Sequence, residues 1–476
     1  MRRLNCEEER WAEREFGHAD LKDSRRTERV IRIAARAAQK PAGKVSEVCI
    51  NDAEQQGAYD LLEGKHVSAE SLMDALGTAT MAKASPERFS FVAIDGSSLT
   101  LTDVGQRKDF GSVGSLTKRG RGLKVISAFA ISPDGVPLGL VSQVWWARTE
   151  AKSQSAKDKA RRNRKRKVHE KETTHWLRAI ESAADQADQA DARLWFQLDR
   201  EADNREMLLK LAEMTHRFTV RASWNRLLET TGKDKQYLRQ WLAREAPGGS
   251  YSLDISAGPK RTARHARITV RWGRVVLRLR NRWTKTERQL EVYAVWAREE
   301  GPCPADEKPV DWLLLTNASV GSIEDARTVV YGYTQRWRVE EFHKTWKSGA
   351  CRVEESQLRT QHAVTVWATI LAAVAARIER LKTLARTTPE QPATVELSEH
   401  EIGALLILIR ELKKRNETLP DATLTIGEAT TWIARLGGYT GKSSGGPPGA
   451  ITIRRGFERV RPAAQVFAAL AESGEK

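Results

Sequence analysis

The stretch Tyr333-Thr334-Gln335-Arg336-Trp337-Arg338-Val339-Glu340-Glu341-Phe342-His343-Lys344-Thr345-Trp346-Lys347 decides how this chain is read. It holds no Pro or Gly and predicts a helix. At about 3.6 residues per turn, Tyr333, Arg336, Glu340, His343, Lys344 and Lys347 share one face. One carboxylate then stands between cations above and below it, with an aromatic ring at one end. Such a face suits a metal-binding carboxylate whose neighbours grip phosphates. The competing reading is a salt-bridged helix facing solvent.

Outward from that helix, size and charge narrow the classes. A chain of 476 residues holds two or three domains around at least one large core. Lys and Arg number 79 against 62 Asp and Glu, a net charge of +17, which points to a polyanion partner, most simply nucleic acid. The longest apolar uncharged run, Ala363 to Ala376, is too short to span a bilayer, and the first residues contain no apolar signal stretch. Cys6, Cys49, Cys303 and Cys351 lie far apart with no CxxC pair. That spacing argues against a zinc module or a disulfide framework and fits a reducing cytoplasm.

Toward the N-terminus, Asp23-Ser24 opens a predicted helix to about Lys40, with Arg25, Arg29, Arg32 and Arg36 on one face and Val30, Ile33, Ala34 and Ala37 on another. Further helices are predicted from Asp52 to Leu62 and from Ser68. An arginine-striped helical module of this kind resembles a small DNA-binding unit; a bundle with a solvated basic face competes. Next, Phe89-Ser-Phe-Val-Ala-Ile-Asp95 is an apolar strand ending on a carboxylate, and Gly96 onward is read as turning away. Leu123 to Ile131 and Val136 to Trp146 flank the hairpin signal Pro133-Asp134-Gly135. The basic run Lys157 to Lys167 reads as a solvated loop able to touch phosphates.

After a helix from about Glu172 to Asp188, Arg193-Leu-Trp-Phe-Gln-Leu-Asp199 is a second apolar strand ending on Asp. Asp203 is a candidate cap for the helix that follows, Asn204 to His216, and Arg217 to Ser223 is a further strand. From Trp224 to about Val310, alternating strands among Gly, Lys and Arg read as an inserted basic β subdomain. Asp311 to Thr316 returns to an apolar strand, and Ser322 starts one long helix carrying Glu340. Beyond Gly349 the chain reads as helical, at about Val364–Leu381, Glu399–Lys413 and Ile426–Leu436. Gly441-Lys442-Ser443 mimics the end of a phosphate loop, but Leu436 stands where its first Gly belongs and no apolar strand precedes it, so no nucleotide cofactor is expected.

This order of elements is that of an α/β ribonuclease H-like core, in which acidic groups at two strand ends and on one helix converge. Asp95, Asp199 and Glu340 are then the catalytic candidates. Three carboxylates of this kind can hold two Mg²⁺ ions about 3.5–4 Å apart, one activating the attacking oxygen and one steadying the leaving oxygen.

The pattern Tyr333-x2-Arg336-x3-Glu340-x6-Lys347 resembles the Tyr-Arg-Glu-Lys signature of the insertion-sequence-four family of DDE transposases. Asp199-Arg-Glu-Ala-Asp203, Trp145-Trp146, Gly57-Ala-Tyr59, Trp312-Leu-Leu-Leu-Thr and Ala434-Arg-Leu-Gly-Gly438 are similar to blocks of that family, in the same order from about residue 20 to 440. The resemblance implies cut-and-paste transposition: a homodimer pairs two transposon ends, nicks them, passes through a DNA hairpin and joins the 3′ ends to target DNA. It implies that Asp95, Asp199 and Glu340 are both catalytic and metal-binding, with Mg²⁺, or Mn²⁺ in its place. It further implies DNA contacts by Arg26, Arg29, Arg221, Tyr333, Arg336 and Lys347, and stacking of a flipped base on Trp312, for which a core aromatic is the competing reading.

The domains expected on this basis are an N-terminal helical DNA-binding domain at 1–70, a catalytic domain at 71–370 with its β insertion at about 224–310, and a C-terminal helical dimerisation domain at 371–476. The expected partner is double-stranded DNA, with no membrane, and the expected place a bacterial cytoplasm, on the nucleoid. The sequence departs from the family pattern at Gly96-Ser97-Ser98, where two threonines are usual before the serine, and at Ile126-Ser127, where His-Ser is usual. Neither departure removes a carboxylate. Two rivals remain: a noncatalytic DNA-binding regulator, and a nuclease of the same fold without strand transfer.

Overall fold

The computed structural model describes residues 7–114, 120–148, 172–230, 234–255, 261–281, 284–413, 417–420, 423–441 and 446–474. The basic run at 157–167 lies outside them, as do Lys442 and Ser443. The N-terminal part is helical: α1 (Glu7–Phe16), α2 (Ser24–Gln39), α3 (Val45–Val48), α4 (Asp52–Glu63) and α5 (Ala69–Met81). Asp23 caps α2 by accepting the Arg25 N–H, and Val30, Ile33, Ala34 and Ala37 are buried beneath it. Arg25, Arg29 and Arg32 remain exposed. Arg36 leaves that stripe and pairs with Glu54 of α4 at 3.1 Å.

The centre is a ten-stranded sheet built from β1 (Phe89–Thr100), β2 (Gly111–Val113), β3 (Gly120–Ile131), β4 (Pro137–Trp146), β5 (Arg193–Leu198), β6 (Arg217–Arg221), β7 (Gly249–Ile255), β8 (Arg264–Arg280), β9 (Glu287–Glu300) and β10 (Asp311–Thr316). Its order is β2-β3-β1-β5-β6-β10-β9-β8-β7, with β4 also on β3. The neighbours β1, β5 and β6 are parallel. The other pairings are antiparallel.

Helices cover both faces of the central strands. Val92, Ile94, Phe196 and Leu198 pack with α6 (Thr173–Gln189) and α7 (Arg205–Ala212). Phe91, Ala93, Phe129 and Trp195 pack beneath α9 (Ile323–Gln335), α10 (Trp337–Lys347) and α11 (Gln361–Thr387), α8 (Leu238–Arg244) lying at the side against β8. Burial on both faces is why these strands read as unbroken apolar runs. The Phe129 and Phe342 rings stack with centroids 4.9 Å apart, and each such buried side chain contributes on the order of 1.5–3 kcal/mol.

Three expectations change. First, β1 does not turn away at Gly96: it stays paired with β3 through Thr100 opposite Gly122, and buried Leu99 keeps the alternation. Second, the strands from 224–310 continue the central sheet through β10. β9 pairs with β10 along its length, because Leu313, Leu314 and Leu315 are fully buried and need a strand on each side. Their basic character is largely matched across strands, Arg264 to Glu299 at 2.7 Å, Arg274 to Glu291 at 2.6 Å and Arg278 to Glu287 at 2.7 Å. Third, the chain after Gly349 includes a helix the sequence hid.

Here α11 extends well past the expected bounds, followed by α12 (Glu399–Leu408), a 3-10 turn at Ile409–Leu412, α13 (Ile426–Leu436) and α14 (Ala450–Gly474). Pro462 inside α14 is a helix breaker in the sequence, and it masks that element. The residue before it, Arg461, is buried and ties distant parts together. Its Nε lies 3.2 Å from Glu8 of α1 and 3.3 Å from Glu401 of α12, and its Nη1 donates to the Ala38 carbonyl at the end of α2.

Candidate active site

Two strands bring the first two acids together. Ala93 of β1 is level with Gln197 of parallel β5. Asp95 is two residues further along β1 and Asp199 two beyond Gln197, just past β5, close enough for the Asp199 charge to act on the Asp95 carboxyl. Asp95 Oδ1 accepts the Gly96 N–H at 2.8 Å. Asp199 stands just past β5 and caps the 3-10 turn Arg200–Ala202, its Oδ1 accepting the Glu201 N–H at 2.7 Å.

The third acid arrives on a broken helix. The single long helix expected from Ser322 is interrupted: α9 ends at Gln335, Arg336 is a turn residue, and α10 starts at Trp337. Ser322 does cap α9, in a reciprocal box with Asp325. From the break, Arg336 reaches both acids, with Nη2 2.6 Å from Glu340 Oε1 and Nη1 3.7 Å from Asp95 Oδ2. One guanidinium therefore joins a carboxylate of β1 to a carboxylate of α10.

Burial pushes the Asp95 carboxyl up to about 7. Arg336 and the Gly96 N–H pull the other way, and the charges on Asp199 and Glu340 add to the rise. A carboxyl poised near neutrality among other acids is a common mark of a working site. Among the described residues, no group of three His, Cys, Asp or Glu side chains stands ready at metal-holding geometry. Glu340 is turned to Arg336, and Asp199 to its own turn. In donor type and charge, the all-oxygen set still fits a hard divalent cation.

The raised Asp95 value has a consequence for metal-free protein. The folded chain holds this proton more tightly than the unfolded chain does. Below pH 3.8 Asp95 is neutral in both states and costs nothing; between about 4 and 7 its ionisation increasingly favours unfolding. Asp95→Asn is therefore expected to melt higher than wild type above pH 7, with the gap closing as pH falls toward 4. Melting curves across that range in chelator check it, and a constant gap would contradict the assignment.

The remaining candidates fall into three places. Trp312, half-buried on β10, meets buried Tyr333 of α9 edge-on at 5.6 Å and 68°. Arg221, at the end of β6, donates from Nη2 to the Asp311 carbonyl at 3.2 Å, beside Trp312, and its buried Nε has no partner. Lys347 Nζ lies 3.7 Å from Glu354, which accepts the Thr100 N–H at the far end of β1. Arg26 and Arg29 sit apart from the acids on α2, bonded to the carbonyls of Leu21 at 3.0 Å and Gly57 at 3.5 Å.

Two residues play other parts than the sequence implied. His343 leaves the shared charged face and points inward, 6% exposed, with Nε2 3.1 Å from Ser127 Oγ; Lys344 stays outside. Asp203 is not a cap, since Asn204 caps α7. Buried Asp203 instead accepts the N–H groups of Ser223 at 2.6 Å and Trp224 at 3.1 Å and the Arg226 Nε at 3.1 Å. It thereby fixes the loop after β6 beneath the Asp199 turn. Nothing local in the sequence marks that role, because its partners are some twenty residues away.

Residues 8–67, which carry Arg26 and Arg29, match the family described as Transposase DNA-binding. Residues 199–376, which run from Asp199 through Glu340, match the family described as Transposase DDE domain. Asp95 lies before the second match, and its carboxylate faces Arg336, inside that match, at 3.7 Å. No helix among the described residues is long and apolar enough to cross a membrane. The chain is thus similar to a transposase DNA-binding family in one segment and to a transposase DDE family in another, which together support a DNA transposase.

Proposed function

We propose that this protein is a cut-and-paste transposase of the insertion-sequence-four family, of the type exemplified by the transposon-five enzyme, and that it acts as a homodimer on double-stranded transposon ends in the bacterial nucleoid. The observation that carries this reading is that Arg336 joins Asp95 to Glu340 while the charges of Asp199 and Glu340 both act on the Asp95 carboxyl. Asp95, Asp199 and Glu340 would hold two divalent ions, Mg²⁺ or Mn²⁺. Bound there, such ions supply Lewis acidity to the attacking and leaving oxygens of a phosphoryl displacement.

The chain's own residues do the rest. The α2 arginines, Arg26 and Arg29 among them, hold the end by its phosphates. Arg336 offers its guanidinium to the phosphate at the cut, exchanging one anion for another at low cost. Lys347 and Tyr333 flank that phosphate, and Arg221 grips the adjoining backbone through its unpartnered Nε. Each freed 3′-hydroxyl closes a hairpin on the opposite strand. That hairpin requires an unstacked base, and the Trp312 indole offsets about 1–3 kcal/mol of the cost by stacking. After water opens the hairpin, the same 3′-hydroxyl attacks target DNA.

The test uses labelled duplexes tiled across the DNA that flanks the coding sequence, incubated with protein and then with MgCl₂. The expected result is one bound sequence at each flank, metal-triggered cleavage with a hairpin product, and joining of precut ends to a plasmid. Binding without cleavage would leave a regulator; cleavage without joining would leave a nuclease.

A further inference from the structure

We propose that His343, hydrogen-bonded to Ser127, is the positioning residue that sets Glu340 against Asp95. The inference rests on the catalytic reading of those two acids. Ser127 of β3 is the direct cross-strand partner of Asp95 of β1, and opposite residues of an antiparallel pair point to the same face. His343 follows Glu340 by one helical turn on α10. The 3.1 Å contact between His343 Nε2 and Ser127 Oγ therefore links the element bearing one acid to the strand beside the other.

The surrounding contacts make this bond informative. Phe342 stacks on Phe129, and Trp346 meets Trp145 edge-on at 5.7 Å. Ring contacts hold α10 on the sheet but resist sliding along it only weakly, because dispersion is non-directional. A hydrogen bond fixes both reach and direction. Gln143 of β4 donates to the same Ser127 Oγ at 3.2 Å, which orients the hydroxyl toward the ring from behind. The site is buried on all sides, with Ser127 fully inaccessible. Burial holds the imidazole down to about 3, so it is neutral wherever DNA is cut and cannot serve as a counter-charge. Its use is therefore geometric. A displacement of about 1 Å at a reacting centre costs on the order of a hundredfold, so such a pin matters to rate.

Four variants test it: Ser127→Ala, His343→Phe, the double variant, and His343→Gln, whose amide nitrogen reaches the place of Nε2. Each full-length protein is assayed for single-turnover cleavage of the bound flanking duplex, for Mn²⁺ affinity by calorimetry, and for melting temperature. Ser127→Ala and His343→Phe are each expected to lose about tenfold or more in rate and in Mn²⁺ affinity. The double variant should lose no more than the worse single one, and His343→Gln should recover most of both. Duplex affinity should stay near wild type in Ser127→Ala, and melting temperature should fall only modestly and stay well above the assay temperature, since His343 Nε2 and Gln143 Nε2 lose a partner but the ring packing stays closed. The proposal is overturned if Ser127→Ala cleaves and binds Mn²⁺ as wild type does, or if the losses track melting temperature alone. If wild type binds Mn²⁺ but cuts nothing, the transposase reading fails, while the Mn²⁺ series still decides the positioning role.

Discussion

Glu340→Ala is expected to lower end cleavage by roughly 10⁴-fold or more while leaving duplex binding and melting temperature close to wild type. The side chain is one third exposed and its partner is Arg336, so little packing is lost on truncation. What disappears is the α10 contribution to the acid cluster. Arg336 then keeps only Asp95, and the Asp95 carboxyl, relieved of one neighbouring charge, moves down from about 7. Gel-shift titration and single-turnover cleavage on the same preparation check the outcome. Cleavage persisting within tenfold of wild type would remove Glu340 from the reaction. Loss of binding alongside cleavage would instead assign it to the DNA surface.

The largest stability effect is expected at Arg461. Arg461→Ala should cost about 3–5 kcal/mol, because it strands two buried carboxylates beside each other. Glu8 and Glu401 have side chains only 4% and 1% exposed, and both face the Arg461 Nε. The Ala38 carbonyl at the end of α2 also loses its donor. Chemical denaturation should show the shift, and limited proteolysis should show α1 released early. A change below about 1 kcal/mol would mean that water or a neighbouring cation replaces the guanidinium, and that the α1–α12–α14 junction does not depend on it.

The candidate acids were legible because their signals are local. An apolar run ending on Asp95, another ending on Asp199, and a charged helix with Glu340 each declare themselves within a dozen residues. Ser68 and Ser322 announce their helices because capping is a matter of three or four consecutive residues. The misreadings share an opposite cause. Whether β1 stops at Gly96 depends on β3, whose length comes from elsewhere in the chain. That β8 and β9 continue the central sheet depends on the open edge of β10. His343 looked like one more polar group on a charged face until its Ser127 partner, 216 residues away, was in place. Asp203 and Arg461 are charges whose burial only tertiary partners can balance. The helix α14 went unread in the sequence, and its Pro462 is absorbed within it.

The parallel pairing of β1 with β5 carries a further meaning for the life of the chain. The stretch between these strands includes a hairpin and a full crossover helix, so their registration is a late, long-range event. Until it happens, Asp95 and Asp199 are ordinary separated side chains. A partly folded molecule in which residues 8–67, the segment similar to the Transposase DNA-binding family, are already in place still lacks the pair of acids. On the proposed reading, a cutting centre then exists only in the finished fold, and incomplete copies of the chain have none.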